Sequence, residues 1–189
     1  FFLLASRLFA NMPAENMGSP ELPVGDGGVL DLGFWSLVVY WLKGIAQIFL
    51  INSWVTGIFF LAGLLVSNRR ACAWAAIGSA LSLLVVILWK GPAHDIENGL
   101  YGFSAVLTAI ALGATFCNNS WKTWIWTILG IIVTVFVQGA MNAFFSPMGL
   151  PTLTGPFCVT TWLFLFPKYS FFMPTPSKSV SYTHLRAHE

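Results

Sequence analysis

Charged residues are scarce in this sequence. Its 189 residues contain nine Lys and Arg and seven Asp and Glu, so that 8% of the chain is charged, whereas a soluble domain carries about 25%. A soluble fold could not cover its surface with so few charges. Because hydrophobic residues make up 57% of the chain, the composition predicts an integral membrane protein in a lipid bilayer. The net charge of only +2, without a basic run, excludes a nucleic-acid-binding protein.

The sequence also lacks paired metal-binding and redox motifs. Cys72, Cys117 and Cys158 stand far apart in the chain, so there is no CxxC pair. We interpret these cysteines as small apolar residues at helix-packing surfaces. No metal or cofactor is therefore expected.

Few histidines are available as candidate catalytic residues. Two of the three histidines fall in residues 181–189, a polar segment that we interpret as a non-native tail. The third, His94, lies beside Asp95 and close to Glu97. This group is the only candidate for a membrane-embedded enzyme site, and the preceding Gly-Pro pair favours an ordinary solvated turn instead. We therefore predict that the protein is not an enzyme.

Long uncharged runs define the predicted membrane segments. A bilayer core about 30 Å thick needs about 20 apolar residues in a helix. Residues 71–89, 98–117 and 123–145 meet that requirement, and residues 153–167 form a shorter run that is expected to cross only in part. The predicted fold class is an all-α integral membrane protein.

Residues 33–66 are too many for one span and too few for two. Residues 11–31 contain acidic residues but no Lys or Arg, as expected of an extracytoplasmic loop. The basic residues that mark cytoplasmic loops are Arg69, Arg70, Lys122 and Lys168. Residues 33–66 must then cross the membrane a net single time, as one full span plus a re-entrant segment. Re-entrant backbone is tolerated where it lines a polar cavity, which points to a pore or binding pocket near residues 47–57.

The predicted spans contain no carboxylate. An intramembrane acid is the usual coupling element of proton- and sodium-driven transporters, so the chain is interpreted as a passive conduit for an uncharged solute. Lys43 is the only charge well inside an apolar stretch. Most amides and hydroxyls in the spans, such as Thr108 and Thr134, are expected to serve helix packing for about 0.6 kcal/mol each. For Gln47, packing and function both remain open, because its carboxamide can donate and accept beside the suspected turn.

Three short motifs resemble those of the urea transporter family. The first is residues 44–50 (GIAQIFL), followed by Asn52 and a Thr-Gly pair. The second is residues 98–103 (NGLYGF), and the third is residues 149–157 (GLPTLTGPF). Three motifs in the family's order make a far more specific match than any one alone.

The resemblance implies one half of an inverted two-repeat channel, with about five transmembrane helices plus a re-entrant helix. It further implies passive movement of urea, a homotrimer with one pore per subunit, and a multi-pass position in a cell membrane such as the bacterial inner membrane. On this interpretation the chain divides into the end of the last helix of a preceding half (1–10), a polar extracytoplasmic linker (11–32), the transporter-like half (33–167), a cytoplasmic tail (168–180) and the non-native tail (181–189).

By the same resemblance, six residues would contact urea in a slot completed by the missing half. They are Gln47, Ile48, Leu50, Phe103, Leu107 and Thr154. The carboxamide of Gln47 would meet the solute, Phe103 and Leu107 would form a flat wall, and the Thr154 hydroxyl would lie near the middle. Such walls select a planar solute by shape, while polar groups replace its lost water.

Some positions depart from the family pattern. Ser53 and Trp54 stand where Asn-Pro is usual, Ser104 replaces an Asn, and Leu50 occupies a position that is aromatic in some members. These differences leave open a related small neutral solute, either another amide or ammonia. A structural membrane subunit without a pore is the remaining alternative.

Overall fold

The computed structural model describes residues 30–145 and 152–166 of the chain. All regular structure in these two ranges is helical. The helices are α1 (Phe34–Ala46), α2 (Trp54–Ser67), α3 (Arg69–Leu88), α4 (Ala93–Glu97), α5 (Gly102–Ile110), α6 (Trp121–Phe145) and α7 (Gly155–Leu165). The predicted segments 1–10, 168–180 and 181–189, and nearly all of the predicted linker, lie outside the described residues. The prediction of a helical membrane protein is confirmed, and the domain boundaries stay predictions.

Two of the described helices are long and apolar enough to cross a membrane. They are α3, with 20 residues, and α6, with 25, and they coincide with the predicted spans 71–89 and 123–145. Asn68 caps α3, because its Oδ1 accepts hydrogen bonds from the backbone N–H groups of Arg70 and Ala71. The predicted total of about five spans, and the inverted repeat, stay predictions.

The chain bends sharply in the segment where a re-entrant turn was predicted. Helix α1 continues into a 3₁₀ turn, Gln47–Phe49, and this stretch meets α2 at an angle of 72°. The turn ends because Leu50 takes a left-handed backbone conformation, with φ of 56°. The bent pair counts either as one broken span, a third crossing, or as a re-entrant loop.

Helix α5 begins later than the predicted span 98–117. Gly99 adopts φ of 68° and its carbonyl accepts a hydrogen bond from the Gly102 N–H, so a tight turn precedes the helix. Residues Ala111–Phe116 then continue α5 as a π-helical stretch. The end of this stretch lies beside the start of α3, because the Arg70 Nη2 donates to the Cys117 carbonyl at 3.2 Å. Both ends therefore lie at one face of the bundle, as the predicted cytoplasmic loops require.

Helix α5 is the centre of the bundle and packs against α1, α3, α6 and α7. Ala105, Val106 and Ala109 on this helix have no solvent exposure. Thr108 and Thr134 join α5 to α6 through a hydrogen bond of 3.0 Å, and each also bonds its own helix backbone. They have the packing role that was expected of them.

Helix α2 lies at the outside of the described bundle. Gly57 is the one buried residue among its 14. Large apolar side chains such as Phe59 and Val66 are exposed, at 73% and 91%. An apolar surface of this kind is suited to lipid or to another membrane segment.

Candidate functional site

The first and second motifs meet where two stretches of backbone cross. A Cβ atom added to Gly102 would lie 2.5 Å from the Cα of Gly44, and one added to Gly99 would lie 2.5 Å from the Gly44 nitrogen. Neither distance is tolerable against backbone, so the close approach requires glycine at these positions. The crossing brings the end of α1, and the turn that follows it, against the start of α5.

Gln47 opens that turn and is buried, with 7% of its surface exposed. Its Nε2 donates a hydrogen bond to the backbone carbonyl of Asn98 at 2.8 Å. Among the hydrogen bonds of the described residues, its Oε1 accepts none. The carboxamide is therefore held by its nitrogen, which leaves its oxygen as the acceptor end.

Asn98 is the hub of this region, although the sequence analysis treated it only as part of a motif. Its Oδ1 accepts from the Asn52 Nδ2 at 2.7 Å, and its Nδ2 donates to the His94 carbonyl at 2.9 Å. Together with the bond from Gln47, these contacts tie the bent turn to the segment before α5. The sequence signal that could have indicated this role was an amide residue immediately before the Gly99 turn.

Ile48 and Leu50 occupy opposite environments. Ile48 packs against the buried cluster of Ile45, Ala75 and Val106. The side chain of Leu50 is 71% exposed, at a residue whose backbone is left-handed. That conformation is uncommon for a leucine, and it directs an apolar side chain away from the bundle.

Phe103 and Leu107 lie on α5, four residues apart, and therefore share a face of that helix. Phe103 is 8% exposed and Leu107 is half-buried. The Gln47 turn packs against the same helix. The structure thus brings four of the six predicted residues, Gln47, Ile48, Phe103 and Leu107, onto two elements in contact.

Thr154 enters from a different element, immediately before α7. It is exposed, and the preceding Leu153 has φ of 46°. Helix α7 packs against α5 and α6. A position of Thr154 beside the carboxamide of Gln47 stays a prediction.

A second group of polar side chains lies between α6 and the start of α7. Gln138 Nε2 donates to Thr152 Oγ1 at 3.0 Å and to Asn142 Oδ1 at 3.3 Å, and Thr152 Oγ1 donates to Asn142 Oδ1 at 2.8 Å. The sequence analysis expected most amides and hydroxyls in the spans to serve packing and did not single out these three. Two amides spaced four residues apart on one helix were the signal for a shared polar face.

The His94 segment contains the short helix α4 rather than only a turn. His94 Nδ1 lies 3.6 Å from Asp95 Oδ1, and the His94 side chain is 69% exposed. Within residues 30–145 and 152–166, no group of three His, Cys, Asp or Glu residues could hold a metal ion.

Comparison with known proteins adds a family relationship. A profile of the urea transporter family (UT) matches residues 1–169. The chain is similar to urea transporter 1 of Ovis aries, with 36% identity over 123 residues, covering 65% of this chain and 32% of the relative. It is also similar to urea transporter 1 of Rattus norvegicus, with 34% identity over 122 residues and the same coverage. The chain therefore spans about a third of the length of these relatives.

Proposed function

The chain belongs to the urea transporter family, and from that premise we propose that it moves urea passively across a membrane. The observation that carries the proposal is the held carboxamide of Gln47, with its nitrogen on Asn98 at 2.8 Å. Urea is neutral, planar and rich in N–H donors. A fixed acceptor, on a turn that packs against the helix carrying Phe103, suits such a solute.

Each of the six residues then has a role. The Gln47 oxygen accepts from a urea N–H, and Ile48 packs behind the turn. Phe103, Leu107 and Leu50 provide apolar walls that admit a flat solute and exclude a bulky one. The Thr154 hydroxyl donates to the urea oxygen. The polar groups replace water that the solute loses on entry.

The proposed mechanism is passive because the chemistry requires no ionisation. Helices α1, α2, α3, α5, α6 and α7 contain no Asp or Glu, and so lack the usual coupling group for a proton or sodium gradient. The relatives' names describe transporters, which supports transport rather than enzymatic catalysis. The His94 group is then an ordinary surface feature.

We further propose that the slot is completed by a second homologous half, in an inverted arrangement, within a homotrimeric cell-membrane protein of the bacterial inner-membrane type. The exposure of Leu50 and Thr154 supports a facing wall. Both residues were assigned to the pore, yet neither is covered by the described bundle.

The test is uptake of labelled urea by cells or vesicles that contain the full-length protein. We expect uptake that saturates weakly and that ionophores do not change. Gln47→Leu should lower it by at least about tenfold, since the solute loses an acceptor and the Asn98 carbonyl loses the donor that the structure gives it. Strict dependence on a proton or sodium gradient would refute the passive mechanism.

The departures at Ser53, Trp54, Ser104 and Leu50 give a second candidate, a related small neutral solute. Uptake of another amide or of ammonia, faster than that of urea, would identify it. A structural subunit without a pore is favoured instead if neither Gln47→Leu nor Thr154→Leu changes urea flux.

A further inference from the structure

The polar group on α6 contacts the segment that carries Thr154. Gln138 and Asn142 project from one face of α6, and both hydrogen-bond the Thr152 hydroxyl, at 3.0 and 2.8 Å. We name the group of Gln138, Asn142 and Thr152 the amide clamp.

The backbone of Thr152 connects the amide clamp to the start of α7. Its carbonyl accepts a hydrogen bond from the Gly155 N–H at 3.0 Å. Between these two residues the chain turns through Leu153, whose φ is 46°, to Thr154. Thr154 makes no side-chain capping bond to α7. The clamp therefore holds one end of the turn that presents the Thr154 hydroxyl.

The amide clamp buries polar groups between α6 and the start of α7. Gln138 is only 3% exposed, and its Oε1 has no hydrogen-bond partner among the described residues. A buried acceptor without a partner lowers the stability of the fold. The Nε2 of the same amide donates to Thr152 and Asn142, so Gln138 fixes the segment before α7 by directional bonds that an apolar residue could not make.

We infer that the amide clamp is a positioning device that sets where Thr154 meets the solute, and that Thr152 is its essential contact. This inference rests on the proposed function and adds residues to which neither the motifs nor the family relationship assigned a role in the slot. Gln138, Asn142 and Thr152 act through Thr154 and need not touch the solute. Their effect should therefore be seen in solute discrimination more than in folding.

The first experiment measures urea and thiourea flux of the full-length protein in vesicles. Thr152→Val removes the hydroxyl at nearly constant volume, whereas Thr152→Ser keeps it. We expect Thr152→Val to lower urea flux by about threefold to tenfold, the range of a lost interhelical hydrogen bond. Thiourea flux should fall less, because its sulfur is a weaker acceptor for the Thr154 hydroxyl, and Thr152→Ser should restore the wild-type ratio.

Thr160→Val is the matched control. Thr160 lies on α7, is fully buried, and has a hydroxyl without a partner among the described residues. This variant should leave the flux ratio unchanged. The double variant Thr152→Val with Thr154→Val should be no worse than Thr154→Val alone, since the clamp acts through Thr154. The inference would be overturned if the flux losses of Thr152→Val and Thr154→Val multiplied in the double variant. It would also be overturned if Thr152→Val lowered urea and thiourea flux equally.

A second readout does not depend on transport. The variant Thr154→Cys is labelled with a thiol reagent, and the labelled peptide is identified by mass. Thr152→Val should change the labelling rate at least about threefold, while Thr152→Ser and Thr160→Val leave it unchanged. An unchanged rate in Thr152→Val overturns the clamp. Absence of urea flux in the wild type, with a changed labelling rate, overturns the proposed function and not the clamp.

Discussion

Gln47 and Asn98 show how individual residues shape the proposed slot. The Gln47 bond goes to the Asn98 backbone, whereas Asn52 bonds the Asn98 side chain. Removing the Asn98 side chain therefore releases Asn52 without depriving Gln47 of its acceptor. The two contributions of Asn98 can be separated by mutation.

Asn98→Ala should lower urea permeability by about threefold to tenfold, because the turn loses its side-chain anchor. Stopped-flow measurements on vesicles would show this loss. Asn52→Ala should have an equal or smaller effect, because Asn98→Ala also loses the bond to the His94 carbonyl, and the double variant should be no worse than Asn98→Ala alone. Losses that multiply would contradict a shared hydrogen bond.

Glycine at position 102 is required by the crossing of the first two motifs. Gly102→Ala places a Cβ 2.5 Å from the Cα of Gly44, which α1 cannot absorb without moving, so the yield of folded protein and its melting temperature in detergent should fall. Gly139→Ala on α6 is the matched control, since its Cβ would have no neighbour within 4 Å among the residues that the structure describes. We expect the control to melt at or above the wild-type temperature, as alanine favours helix. Equal melting of the two variants would contradict the crossing.

At the scale of helices, the sequence predicted well wherever hydrophobic length decides the structure. Uncharged runs predicted α3 and α6. The charge distribution predicted one full span plus a re-entrant segment in residues 33–66, where α1 and α2 bend by 72° as either a broken span or a re-entrant loop. The late start of α5 could not be predicted, because it depends on Gly99 taking φ of 68° against Gly44. That contact arises only when two distant segments cross.

The bend can be tested by comparing two variants of Leu50, whose φ is 56°. Leu50→Gly and Leu50→Ala both remove the exposed side chain, but only alanine keeps the steric cost of a left-handed backbone. We therefore expect the glycine variant to be more stable by about 1 kcal/mol, seen as a higher melting temperature. In an ordinary helical conformation the alanine variant would be more stable than the glycine variant. A higher melting temperature for Leu50→Ala would therefore contradict a left-handed backbone at this residue.

At the scale of the whole molecule, the candidate site was only partly within reach of the sequence. Motifs identified Gln47, Phe103 and Thr154 as members, and the structure joins the first two through the turn and α5. The roles proposed for Asn98 and the amide clamp rest on the structure alone. In a sequence, an amide that only packs a helix looks the same as one that shapes a binding site. Hydrogen-bond partners from separate helices distinguish the two.

The central claim, that urea moves down its gradient without coupling, is tested most directly by the final accumulation ratio. Vesicles containing the full-length protein are placed in labelled urea, with a proton or sodium gradient imposed across the membrane. The account predicts that internal urea rises to the external concentration and stops there, with or without the gradient. Internal urea that climbs above the external concentration only when a gradient is present would contradict it.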